Sequence, residues 1–261
     1  MFELLFELPL AVSGPAIIVT LSVFALGGLW IVRRCVLPRW RVQSEDSEFT
    51  GAMVQAVLVF YGLAVALIAV SVWQTYSDVS RIVSQEATAL AALYRDVSGY
   101  PPAIRNELQQ ELRDYVNDVI HRAWPLQQHG KVPTGGVQLM NRFQATLITW
   151  EPITEGQKLL HAETLRAYNF MILSRRLRLD AVDTGLPPVL WVVVTVGAVI
   201  SLSASFFFRV EDFRLHATLV MLLATFMGLV IFMILALDRP FRGDLQISAQ
   251  PYRLIYDQLM K

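Results

Sequence analysis

The sequence predicts an all-α protein with four transmembrane helices and a helical extramembrane domain inserted between the second and third. Three observations predict it. Residues 8–32, 49–77, 184–208 and 215–237 contain no Asp, Glu, Lys or Arg, and each run exceeds the roughly 20 apolar residues that cross a bilayer core about 30 Å thick. Residues 78–183 are polar, with 12 basic and 12 acidic side chains, yet keep apolar residues at spacings of three and four, the signature of helices that bury one stripe. No proline or glycine falls between Gly62 and Gly99. The second apolar run is therefore expected to continue into the polar interval as one helix; the competing expectation is a break near Tyr76. The implied division is 8–77 for the first two membrane helices, 78–183 for the helical domain, 184–237 for the last two membrane helices and 238–261 for a tail.

Composition agrees. The 261 residues are 54% hydrophobic and 17% charged, against about 25% charged in soluble domains. Twenty-two basic and 22 acidic residues balance, which excludes the basic excess of a nucleic-acid partner. The single cysteine, Cys35, rules out an intrachain disulfide and a cysteine-rich metal site.

The first run follows Glu3 and Glu7 rather than a basic segment, and it is too long for a signal-peptide core, so it reads as an uncleaved membrane helix. Arg33-Arg34, Pro38, Arg39 and Arg41 end it with charge suited to headgroups and water. Glu45, Asp46 and Glu48 precede the second run, where Asp46 or Ser47 is placed to cap the helix and acidic residues suit its start. Within that run Gln55, Val59, Gly62, Ala66, Ala69 and Trp73 share one face. Gly62 and Ala66 form a small-xxx-small pair. Two readings stand: a packing seam, or a pore-lining face. Tyr61, Trp73 and Tyr76 are the residue types that anchor helices at membrane interfaces.

In the polar interval, Pro101-Pro102 opens a helix at its first turn, where proline is tolerated. Ile104, Leu108, Leu112, Tyr115, Val116, Val119, Ile120 and Ala123 mark its buried face, and Trp124-Pro125 is expected to end it. A loop with His129-Gly130 and Gly135-Gly136 leads to a shorter helix through Val137, Met140, Phe143 and Leu147. Thr154 and Gln157 have capping-box spacing ahead of a helix reaching Asp180. Arg175, Arg176 and Arg178 flank the third apolar run, which starts at Leu186-Pro187-Pro188. There Val193, Gly197, Ser201 and Ser205 step by four, a small and weakly polar face for helix packing. Asp238-Arg239-Pro240 ends the fourth run. In the tail, Ile247, Tyr252, Leu254, Ile255 and Leu259 are candidates to dock on the helical domain. Arginines flank both membrane faces, so the positive-inside rule assigns no orientation.

The sequence offers no enzyme chemistry: no G-x-S-x-G, P-loop, H-E-x-x-H or C-x-x-C. His121, His129, His161 and His216 are scattered, and no metal or other cofactor is expected. Glu107 with Glu111 and Asp114 with Asp118 read as a solvated helix face. No ionisable residue lies mid-membrane, where coupled transporters use one. A conduction route would therefore lie on the symmetry axis of an oligomer, gated by hydrophobic residues.

Several blocks resemble the bestrophin-like family of bacterial membrane proteins of unknown function: Gly51, Tyr61, Trp73-Gln74 with Tyr76; Leu93-Tyr94-Arg95; Trp124-Pro125; Arg175-Arg176-Leu177-Arg178-Leu179; Leu186-Pro187-Pro188 with Trp191; and Ala236-Leu237-Asp238-Arg239-Pro240-Phe241 with Gly243. The resemblance covers nearly the whole chain and extends, remotely, to bestrophin anion channels. Those are pentamers with four membrane helices per subunit, a long second helix and a helical cytosolic domain. The resemblance thus implies a homo-oligomer, a pentamer by analogy, in a bacterial plasma membrane, with lipid as solvent and small anions as the permeant species. Two features of true bestrophins are missing: an Ile-x-x-x-Phe-x-x-Phe neck on the second helix, and an acidic calcium-binding cluster. Two functions follow as expectations, an anion channel or a non-conducting scaffold or sensor whose helical domain binds a protein or ligand.

Overall fold

The structure is a computed structural model that describes residues 9–39, 46–208 and 210–261, with side chains omitted for 46–50. Glu3, Glu7, Arg41, Glu45, Arg209 and the capping side chains of Asp46 and Ser47 lie outside what is described. Among the described residues, 82% are helical and none lies in a strand. Four helices among the described residues are long and apolar enough to cross a membrane.

These are α1 (Leu10–Ile31), α2 (Asp46–Val97), α7 (Pro188–Ser205) and α8 (Phe213–Leu237). Between α2 and α7 come α3 (Pro102–Asp118), α4 (Trp124–Gln128), α5 (Gly136–Thr149) and α6 (Glu155–Asp180), and α9 (Gln250–Ile255) lies in the tail. The chain forms two compact units. One joins residues 1–74 to 185–238, and the other joins residues 75–184 to 239–261.

Helix α2 does not break near Tyr76. It runs 52 residues without interruption, about 78 Å at 1.5 Å per residue, more than twice a bilayer core of about 30 Å. With no proline inside it, nothing removes a hydrogen bond or forces a kink.

In the apolar unit, α1 packs along α8. Leu29 and Ala25 meet Leu202, Phe206, Val220 and Ala224 in one cluster. Val65, Ile68 and Val72 of α2 meet Trp191, Val194 and Ile234 in another. The α2–α7 crossing is set by Gly197. A Cβ there would fall 2.5 Å from the Tyr61 ring, whose hydroxyl donates to the Val194 carbonyl at 3.0 Å. Gly197→Ala is expected to push Tyr61 aside and cost about 1–3 kcal/mol, read as a lower midpoint of thermal unfolding in detergent.

The polar unit is a helical bundle closed by the tail. Thr154 caps α6, its hydroxyl accepting from the Gln157 N–H while the Gln157 side chain takes the Thr154 N–H. Helix α3 does not stop at Trp124-Pro125. A π-turn at Val119–Ala123 carries the chain on into α4, with the Trp124 N–H bonded to the Val119 carbonyl. The widened turn lets Pro125, which brings no N–H, follow directly. Tyr252 of the tail is fully buried and Ile247 nearly so, whereas Leu254 is exposed.

Candidate functional site

The predicted face of α2 is bare in a single chain. Gln55, Gly62 and Ala66 are exposed, Val59 and Trp73 are exposed by more than half, and Ala69 is half-buried. A Cβ on Gly62 would meet nothing within 4 Å. Gly62 and Ala66 instead border an open apolar groove of about 270 Å³ whose far wall is Leu223, Phe226 and Val230 of α8, unlike Gly197, which is in close contact with Tyr61. Helix α2 uses another stripe for intrachain packing: Val54, Val65, Ile68 and Val72 are buried, with Tyr61 half-buried among them. On α7, Ser201 and Ser205 are buried and Val193 is exposed. The Ser205 hydroxyl donates to the Leu202 carbonyl at 2.6 Å, and the Ser205 carbonyl lies 3.1 Å from His216 Nε2.

The polar half of α2 continues with hydroxyls. Ser84 donates to the Ser80 carbonyl at 3.1 Å and Thr88 to the Ser84 carbonyl at 2.9 Å, so their outward lone pairs remain available. With Tyr76, Gln246, Ser248 and Gln250 they line a groove of about 640 Å³ between α2 and the tail, none of whose lining residues is charged.

Asp238 holds the start of α7. Pro187 and Pro188 bring no N–H to that helix end, and the preceding Leu186 N–H donates to the buried Asp238 carboxylate at 2.5 Å. The Trp191 indole N–H donates to its other oxygen at 3.4 Å. A negative charge there also suits the positive end of the helix dipole. Asp238→Asn turns an N–H toward one of these donors, and a loss of about 1–3 kcal/mol in thermal stability is expected.

A second buried charge lies in the polar unit. Glu86 of α2 and Arg178 of α6 are both buried, joined at 2.6 Å through Arg178 Nε and at 3.2 Å through Nη2. The Tyr115 hydroxyl of α3 donates to Glu86 at 2.7 Å, and the guanidinium lies 5.8 Å from the centre of the Tyr252 ring. Four elements thus meet at one ion pair. Burial, then the neighbouring Glu86 charge, pushes the Tyr115 phenol far up, and the same two causes raise Tyr252. Burial works against the Arg178 charge, but the Glu86 charge and hydrogen bond together with Tyr252 and Tyr115 outweigh it and hold the guanidinium well above its ordinary value.

The acids of α3 are not uniformly solvated as the sequence implied. Glu107 and Asp114 are exposed, but Glu111 and Asp118 are half-buried. Burial raises the Glu111 carboxyl, opposed by the hydroxyl of Thr146.

The Bestrophin-like domain matches residues 19–252 of this sequence. The chain belongs to the bestrophin-like family. No curated protein and no solved structure matches it.

In this bestrophin-like chain the blocks that carried the resemblance fall at joints. Tyr61 sits over Gly197, Leu186 and Trp191 meet Asp238, and Arg178 meets Glu86. Trp124 stacks edge-on against Phe241 at 5.6 Å and packs on Tyr252 at the same distance. Tyr94 accepts from Arg113 at 2.7 Å, and Tyr76 donates to the Leu245 carbonyl at 2.9 Å. Gly243 adopts φ +76°, a left-handed conformation that favours glycine. Glu86 is the residue that sequence reasoning missed. It sits at the buried spacing of Val79, Val83, Leu90, Leu93 and Val97, and a lone carboxylate in such a stripe signals a buried partner. Among the described residues, no three His, Cys, Asp or Glu side chains come together as metal ligands. His129 approaches the Pro125 carbonyl at 2.7 Å and His161 the Tyr100 hydroxyl at 3.0 Å.

Proposed function

We propose that this bestrophin-like chain assembles with copies of itself, five by resemblance, into a channel for small anions in a bacterial plasma membrane. In this reading Gln55, Val59, Gly62, Ala66, Ala69 and Trp73 face the symmetry axis, and the polar unit lies outside the bilayer. Gly197, Ser201 and Ser205 serve the packing within each subunit. The observation that carries the reading is the largely exposed face of α2, small at its middle, where Gly62 and Ala66 border an open groove beside α8. Copies arranged about an axis would cover the remaining surface and leave a narrow, weakly polar route whose apolar middle gates by dewetting.

Purified protein in liposomes is expected to pass chloride, with a potassium ionophore carrying the compensating charge and protein-free liposomes as control. Absence of flux across a range of pH and voltage would contradict the reading. The sensor reading draws on one specific observation, the uncharged groove of about 640 Å³ between α2 and the tail, which lies within the usual range of ligand pockets. It gains if the protein proves monomeric or dimeric in mild detergent.

A further inference from the structure

The end of α1 places fixed charge where an apolar span gives way to the interface. Arg33 and Arg34 lie in a π-turn at Val32–Val36, directly after 22 helical residues. Each guanidinium rests on an aromatic ring. Arg33 lies 5.6 Å from the centre of the Phe213 ring and Arg34 5.7 Å from that of Trp30. Arg33 also donates to the Val210 carbonyl, so the end of α1 and the start of α8 sit together. Trp30 is 55% exposed and Phe213 45%. Arg39, whose guanidinium donates to the Cys35 carbonyl at 3.0 Å, and Arg214 add exposed positive charge. Two acids, Glu211 and Asp212, precede α8 and are both exposed, and Asp212 already accepts the Arg214 N–H at 2.8 Å.

We infer that Arg33 and Arg34, seated on Phe213 and Trp30, bind the phosphate of an anionic phospholipid. Stacking on a ring orients the planar guanidinium and leaves N–H groups in its plane for a phosphate. The half-exposed tryptophan belongs at the same depth, where indoles sit among headgroups. The four arginines favour phosphatidylglycerol over phosphatidylcholine, whose choline cation they repel. The seat is independent of conduction, since it uses no residue of the α2 face.

Native mass spectrometry of the full chain in mild detergent tests this, with phosphatidylglycerol, phosphatidylcholine and inorganic phosphate as separate additives. Phosphatidylglycerol is expected to bind preferentially. Replacing Arg33→Gln with Arg34→Gln is expected to weaken it roughly thirtyfold, since each arginine near an anionic headgroup is worth about a factor of five. Arg34→Gln alone keeps the Arg33–Val210 bond and should weaken it about fivefold, which covers failure of the double variant to fold. Arg81→Gln, at an exposed pair with Asp78 in the polar unit, should change nothing. Equal binding of the two lipids, or full binding by Arg34→Gln, overturns the inference. Inorganic phosphate that competes at the same concentration as phosphatidylglycerol would make the seat one for free anions and overturn the lipid assignment.

Discussion

Glu86→Ala is expected to destabilise the polar unit by about 3–5 kcal/mol, because it leaves the Arg178 guanidinium buried without its counter-charge. Arg178 is 1% exposed, and no rotamer of a residue so enclosed brings the charge to water without opening the bundle. Glu86→Gln keeps an acceptor for Tyr115 and should lose less. Replacing both partners by methionine removes the desolvation of two ions together with their attraction, a trade that is often neutral. What remains is the Tyr115 hydroxyl without its acceptor, worth about 1–3 kcal/mol. The double variant should therefore be more stable than Glu86→Ala. Thermal unfolding of the four proteins in one detergent decides it. A loss below about 1 kcal/mol for Glu86→Ala, in the range of ordinary surface substitutions, would show that the pair does not hold the four elements together.

That ion pair marks the limit of what one sequence discloses. Helix α2 was legible because its evidence is local: residues 63–98 lack proline and glycine, and the apolar spacing persists beyond Ser77. The start of α6 was legible for the same reason, since a capping box needs only Thr154 and Gln157. Glu86 and Arg178 are 92 positions apart, and no periodicity connects them. Arg178 reads naturally with Arg175 and Arg176 as membrane-flanking charge, and only the fold separates it from them by burying it. The passage through Pro125 was hidden in a similar way. Proline argues for an end, and the π-turn that accommodates it has no signature in residue type. The exposed face of α2 was legible as a face, since Gln55 to Trp73 keep helical spacing. Small residues alone did not say whether that face met a helix of the same chain. Gly197 and Gly62 look alike in sequence, yet one lies under a tyrosine ring and the other borders an open groove beside α8.

That contrast gives the second large effect. Gly62→Trp is expected to leave the subunit fold intact, because a Cβ there meets nothing within 4 Å and the groove beside α8 is open, and to reduce chloride flux at least about tenfold. A barrier increase of about 1.4 kcal/mol supplies that factor, and a ring of indoles in an apolar constriction narrows the path in every subunit at once. Ala66→Trp, one turn further along the same bare face, should behave alike. Gly197→Trp should instead prevent folding, since the ring of Tyr61 already fills its space. Flux that survives Gly62→Trp in a folded protein would remove that face from the conduction route.

The central claim, that the face from Gln55 to Trp73 meets water on an axis, is tested most directly by cysteine accessibility along α2. Cys35 is exposed and must first be replaced by serine. Gln55, Gly62 and Ala66 and, on another side of the helix, Phe60, Leu63 and Leu67 are all exposed in a single chain; assembly alone distinguishes the two sets. With a charged, water-soluble thiol reagent, cysteines at Gln55, Gly62 and Ala66 are predicted to react and to lose flux, while those at Phe60, Leu63 and Leu67 stay protected in lipid. Reaction confined to the Phe60 side, or equal protection of both sets in a conducting protein, would contradict it.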